Sequence, residues 1–151
     1  MKNSPPLIVA LDVNTLAEVR ELMEFPENTA GGMMTTEYIS LPQNAAVADA
    51  VRALRGNEEM LESVNTLFLV DADGRLRGSV ALARLFAASD NTPLEQLATE
   101  LLVRVSVKEK QDRVTELFDK YNLLTLPVVD EDGYLSGVIT ADDIITVLRQ
   151  R

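Results

Sequence analysis

Apolar positions along the chain change their spacing several times, and each change marks an element. In "QDRVTELFDKY" (111–121), Val114, Leu117, Phe118 and Tyr121 recur at i, i+3, i+4 and i+7, which predicts a helix with one apolar face. The preceding "LLVRVSV" alternates as a half-buried strand does. "LTLPVVD" and "YLSGVIT" are short runs rich in branched residues, joined by "DEDG", whose Asp and Gly residues suit a tight turn between antiparallel strands. "ADDIITVL" then spaces Ile144, Val147 and Leu148 along one side of a closing helix. The predicted order is strand, helix, strand, strand, helix. Near the start of the chain, "TLAEVRELMEF" predicts one further amphipathic helix.

The same order occurs twice. Moved along by 59 positions, "TLFLVDADGRLRGSVALARLFA", Thr66 to Ala87, falls on "TLPVVDEDGYLSGVITADDIIT", Thr125 to Thr146, and eight of the 22 positions agree. Upstream the shift becomes 63, where Thr36-Glu37 meets Thr99-Glu100, Val51 meets Val114 and Leu54 meets Leu117, so the first copy carries a four-residue insertion around Asn57 to Ser63. A unit of this size does not bury a sheet face and two helices by itself. The expectation is an α+β fold in which two β-α-β-β-α units pack around pseudo-twofold symmetry.

Composition narrows the function. The formal net charge of −10 would be repelled by a nucleic-acid backbone or an anionic membrane surface. With neither Cys nor His, disulfides, thiolate chemistry, Cys-ligated zinc and the usual general base are excluded. "LIVAL", Leu7 to Leu11, falls far short of the roughly 18 apolar residues of a membrane span and lacks the flanks of a signal peptide. The chain reads as cytoplasmic, with no direct membrane insertion.

The acids offer the remaining chemistry. "DADG" and "DEDG" lack the further acids and the closing Glu of an EF-hand loop, and they read as turns. In "GVITADD", Thr140 is placed to cap the closing helix by accepting from the Asp143 amide, while the Asp143 carboxylate returns to the Thr140 amide. At the matching positions the first copy has Ala81 and Arg84.

The duplication, the element order and the "LPVVDEDGYLSGVITADD" block resemble a tandem pair of CBS (cystathionine-β-synthase) domains, a Bateman module. On that resemblance, residues 1–33 form a tail and helix left from a preceding helical domain, 34–93 the first repeat and 94–151 the second. "EFPENTAGGMMTTEYISL", "ALARLFAA" and "LFDKYNLLTLPVVD" are similar to the cytosolic part of MgtE-type magnesium transporters. This implies a regulatory module rather than an enzyme, one that binds an adenine nucleotide, AMP or ATP, and Mg²⁺, pairs as a homodimer and controls a membrane transporter domain not present in this chain. The start at Met1 favours a free-standing, shortened relative.

The resemblance also assigns residues. Gly137, Thr140 and Asp143 match the family's nucleotide pattern: Gly137 for close backbone approach, Thr140 for phosphate or ribose at the positive helix end, Asp143 for ribose hydroxyls. The strand Leu126, Pro127, Val128 would lie beside the base. For Mg²⁺ the candidates are Asp112, Asp142 and Asp143, beside Glu116 and Asp119. Asn122 and Thr146 stand where such transporters favour acids, which implies weak metal binding. A ligand-free interaction subunit and a Mg²⁺-dependent phosphohydrolase are the alternatives.

Overall fold

The two Asp-x-Asp-Gly turns are built alike. Asp71 Oδ1 accepts from the amides of Asp73 and Arg75, and Asp130 Oδ1 from those of Asp132 and Tyr134. Gly74 and Gly133 supply the positive φ, 95° and 89°, that closes each turn. The carboxylates are therefore occupied as turn acceptors, as the turn reading expects. The computed structural model describes residues 25–149, so the helix expected at the N-terminus falls, but for Phe25, outside the described residues.

The elements, in chain order, are α1 (Ala30–Met33), β1 (Ile39–Pro42), α2 (Val47–Arg55), β2 (Thr66–Val70), β3 (Leu76–Ala81), β4 (Val105–Ser106), α3 (Gln111–Tyr121), β5 (Thr125–Val129), β6 (Leu135–Thr140) and α4 (Ala141–Arg149). Short 3-10 helices lie at Glu58–Met60, Leu82–Ala87 and Leu94–Gln96. Strands β1-β2-β3 form one sheet and β4-β5-β6 the other, each with a parallel first pair and an antiparallel second pair. The α+β pair of repeats is borne out.

The repeat is kept down to its irregularities. Thr66 pairs with Ala81 and Thr125 with Thr140, and each β-bulge follows the same residue, Leu69 in one hairpin and Val128 in the other. Upstream the spacing is 64 rather than 63: Leu41 opposite Leu69 corresponds to Val105 opposite Val128. Helices α2 and α3 likewise begin at Val47 and Gln111. The insertion is thus five residues, since 64 − 59 = 5, and it houses the Glu58–Met60 turn. Matching like-sized side chains misled the sequence alignment: the position equivalent to fully buried Val114 is Ala50, also fully buried, not Val51.

Two further elements differ from expectation. The strand expected over 101–107 narrows to Val105–Ser106. The first repeat closes in a 3-10 helix, Leu82–Ala87, rather than an α-helix; Leu82 N donates to Asn65 O (3.1 Å), but Ala81 offers no side-chain cap and Arg84 no returning carboxylate, so no side chain caps the start of a longer helix.

The segments that lead into the repeats are exchanged. Residues 28–35 bond to the second repeat: Ala30 N donates to Glu109 O (2.8 Å), Gln111 N to Asn28 O (2.8 Å), and Thr35 and Val138 exchange both backbone bonds (2.8 and 2.9 Å). Residues 92–99 bond to the first repeat: Leu94 N donates to Ala45 O (2.8 Å), Val47 N to Thr92 O (2.9 Å) and Thr99 N to Ser79 O (2.9 Å). The apolar side chains go with them. Ala30 is buried in the second repeat's core with Val114, Leu126 and Ile139, and Leu94 in the first repeat's core with Val47, Leu67 and Val80. Fully burying a leucine such as Leu94 contributes about 1.5–3 kcal/mol. A third cluster, Phe68, Leu76, Val129 and Val138, joins the halves, and the hairpin turns meet where Leu76 N donates to Gly133 O (3.0 Å).

Candidate functional site

Helix α4 begins where the sequence places its cap. Thr140 N donates to Asp143 Oδ2 (2.9 Å) and Asp143 N to Thr140 Oγ1 (3.3 Å), the reciprocal capping box. Both residues open onto a cavity of about 180 Å³ between the repeats. The lead strand contributes Thr35, Glu37 and Tyr38 to its wall, β2 and the turn before it contribute Asn65, Thr66 and Phe68, and the second repeat contributes Thr125 and Val138. Tyr38 and Phe68 meet edge to face, with ring centroids 6.4 Å apart, and Tyr38 Oη donates to Leu135 O (3.3 Å). Burial pushes the Tyr38 phenol above its ordinary pKa, so it stays neutral.

Pseudosymmetry sets a second cleft, of about 320 Å³, on the other side of the two threonines. Thr66 and Thr125 line both cavities. Asn65 Oδ1 accepts from the hydroxyls of Thr66 (2.8 Å) and Thr125 (2.6 Å); Leu124, its counterpart in the second repeat, has no side-chain acceptor to offer. In the second cleft Ser79, Ala81 and Arg84 stand where the first has Val138, Thr140 and Asp143. The charge lining the two cavities is therefore opposite: Glu37 and Asp143 in one, Arg84 in the other.

The other sequence candidates are dispersed. Leu126 and Val128 are fully buried in the second repeat's core and do not reach a cavity. Pro127, between them, faces the Arg84 cleft, because successive strand residues point to opposite faces. Gly137 is needed for a different approach than that of a ligand. A Cβ there would lie 2.7 Å from Met34 Sδ and 2.8 Å from Thr35 O, so the glycine admits the exchanged lead strand. Thr35, Tyr38, Asn65 and Phe68 are site residues that the sequence does not announce; the exchange that brings the lead strand across has no short-range signal.

The acids do not gather. Among the described residues no group of three or more acidic side chains is placed to hold one metal ion, so Asp112, Asp142 and Asp143 do not form a common cluster. Adjacent residues of a helix point about 100° apart, which separates Asp142 from Asp143. Asp142 lines a hollow with Glu62 and Asn65, and Asp143 lines a groove with Glu27, Gln111 and Thr146. Arg113 pairs with Glu116 on the surface of α3. Among the described residues no helix is long and apolar enough to cross a membrane.

Two β-α-β-β hairpin units with exchanged leads and paired clefts define the architecture of a CBS pair. The CBS-domain family pattern matches residues 30–91 and 84–150, and the chain belongs to the CBS-domain family. Within it, the chain is similar to the magnesium transporter MgtE of Thermus thermophilus, 36% identical over 138 residues, which cover 91% of this chain and 31% of that one. It is also similar to MgtE of Enterococcus faecalis, 34% identical over 131 residues, covering 87% and 29%. The chain thus spans about three-tenths of the length of these relatives. Among solved structures, the soluble part of a magnesium transporter superposes with a TM-score of 0.83 at 32% identity, over 93% of this chain and 55% of that one. The cytosolic domain of the Mg²⁺ channel MgtE in complex with ATP gives 0.82 at 36% identity, over 91% and 55%.

Proposed function

We propose that this chain is a regulatory module of magnesium transport that binds an adenine nucleotide in the Thr140 cleft and passes its occupancy to a transporter's membrane part. The observation that carries the reading is the capping box of α4 opening onto a cavity between the repeats. Asp143 uses Oδ2 for the cap and keeps Oδ1 for ribose hydroxyls, the positive end of α4 lies beside it, and Tyr38 and Phe68 give the base an apolar wall. The ATP complex of the similar MgtE domain supports the ligand class. Because both repeats and the first lead line the cavity, a ligand there fixes the repeats relative to each other, which is the means by which binding would be felt outside the module.

Mg²⁺ enters this reading as a weak ligand. The groove with Glu27 and Asp143 has two carboxylates beside the neutral oxygens of Gln111 and Thr146, too little charge to dehydrate the ion tightly. A second copy would dock on the exposed apolar side chains of α3 and α4, Tyr121, Ile145 and Leu148. Calorimetric titration with AMP and ATP tests the reading: one site per chain is expected, and no heat and no thermal stabilisation with either nucleotide would leave a ligand-free interaction subunit. Light scattering is expected to give a dimer.

A further inference from the structure

We infer that Asn65 makes the Thr140 cleft selective for adenine over hypoxanthine, by fixing which atoms beside the base donate hydrogen bonds and which accept them. The inference rests on the reading that this cleft takes an adenine nucleotide, and it concerns the edge of the base alone. Asn65 Oδ1 accepts from two threonine hydroxyls, Thr66 at 2.8 Å in its own repeat and Thr125 at 2.6 Å in the other. A hydroxyl has one proton to give, so Thr66 and Thr125 are left with lone pairs only. Both lone pairs of Oδ1 are used as well, and Nδ2, which has no acceptor among the described residues, keeps its two N–H donors. Among the described residues no buried side-chain nitrogen or oxygen lacks a partner, so Nδ2 opens to solvent. Asn65 lines the Thr140 cavity and not the Arg84 cleft, so those donors are offered on the Thr140 side.

The course of β2 brings the base to these groups. Thr66 stands two residues before Phe68, and side chains two apart in a strand share a face. A base against the Phe68 and Tyr38 rings therefore has Thr66 at its rim, with Thr125 joined to it through Asn65 Oδ1. Adenine carries an amino donor at C6 beside the N1 acceptor, so a threonine lone pair takes the amino proton and Asn65 Nδ2 donates to N1. Hypoxanthine has the same outline with both polarities reversed: O6 would face the threonine lone pairs and N1–H the Asn65 amide. To receive it the threonines would have to withdraw their protons from Oδ1 and leave that oxygen unpaired. The other threonines of the cavity, Thr35 and Thr140, accept from Glu37 N and Asp143 N and keep their protons, so among these four the acceptor character is confined to the pair that Asn65 holds.

Calorimetric titration of the whole chain with AMP and IMP, which carry the same sugar and phosphate, reads the base edge alone. AMP is expected to bind about tenfold more tightly, the size of one reversed donor–acceptor pair. Asn65→Asp keeps an oxygen for both hydroxyls but sets an acceptor where Nδ2 was. Its added charge acts on both nucleotides alike, so the ratio is the readout, and the ratio is expected to fall to about unity. Asn65→Leu, which copies Leu124 of the second repeat and frees both threonine protons, is expected to lower the ratio to about threefold or less, and thermal melts check that each variant is folded. IMP binding as tightly as AMP to the unaltered chain, or a ratio that the folded Asn65 variants leave untouched, overturns the inference while the nucleotide site stands. Silence with both nucleotides removes the functional reading itself, and the inference with it.

Discussion

The two clefts share a pair of threonines and a fold, yet they differ at most of their matched lining positions, Thr140 against Ala81 and Asp143 against Arg84 among them, and the difference separates what a repeat needs in order to fold from what it adds. Both halves keep the hairpin, the bulge and the Asp-centred turn. Only the second has Thr140 and Asp143, and only there does a full helix, Ala141–Arg149, extend from the hairpin; the first half, with Ala81 and Arg84, ends in a 3-10 helix. The hairpin forms without the cap. The full helix stands where the cap is present, and Asp143 against Arg84 gives the two cavities lining charges of opposite sign.

The largest expected effect comes from setting Gly137 against Gly78, which occupy the same strand position in β6 and β3. A Cβ at Gly137 would press on Met34 and on the Thr35 carbonyl at 2.7–2.9 Å, whereas at Gly78 it would touch Ala98 and Leu69 at 3.5–3.6 Å. Gly137→Ala is expected to destabilise by about 1–3 kcal/mol, and Gly78→Ala by less than about 0.5. Equal shifts in thermal melts of the two variants would show that the leads do not seat as tightly as described.

Next in size is ligand affinity. Asp143→Asn should weaken nucleotide binding about tenfold, the size of a lost charge-assisted hydrogen bond. Arg84→Ala should leave the Thr140 site occupied. Were Arg84→Ala to abolish binding while Asp143→Asn kept it, the nucleotide would belong to the other cleft, and the Thr140–Asp143 pair would be a cap alone.

The cap itself contributes less. Thr140→Ala should cost about 1 kcal/mol in urea unfolding, and the double change Ala81→Thr with Arg84→Asp should return part of that to the first repeat, about 0.5 kcal/mol, with a rise in helical circular dichroism. A double variant with unchanged helicity would mean that more than the cap holds Leu82–Ala87 in its 3-10 form.

The smallest effect is electrostatic and belongs to one turn. Burial pushes the Asp71 pKa up, but the amides of Arg75 and Asp73 and the Arg77 guanidinium (2.8 Å) outweigh it and hold the carboxyl below its ordinary value. Its contribution is therefore present above the unfolded pKa of about 3.9 and is lost as pH falls through the lower folded value. Asp71→Asn should narrow the difference from wild type as the solution is acidified. A difference in urea midpoint that stays constant from pH 6 to pH 3 would contradict the sign.

Much of the fold and of the site was legible in the sequence because it is local. The Asp-Gly turns, the helix over 111–121 and the Thr140–Asp143 box depend on residues within a few positions of one another. What was hidden depends on the other half of the chain. The phase of α2 was misjudged because small Ala50 takes the buried place that Val114 fills in α3. Tyr38 and Phe68 look like ordinary core positions until the exchanged lead strand sets them side by side at the cavity wall. Pro127 lines the Arg84 cleft for the same reason: alternation along β5 is readable, but which cleft each face sees is set by the opposite repeat.

The crossed leads make the chain the covalent counterpart of a domain-swapped dimer. Each half donates its opening segment to its neighbour, so the link around Ala88 to Asn91 serves as a tether, while the backbone bonds of Thr35, Leu94 and Thr99 to the opposite repeat hold the halves together. A proteolytic nick in that tether would leave two fragments that co-elute and refold as one body, and neither fragment could keep its core closed without the other.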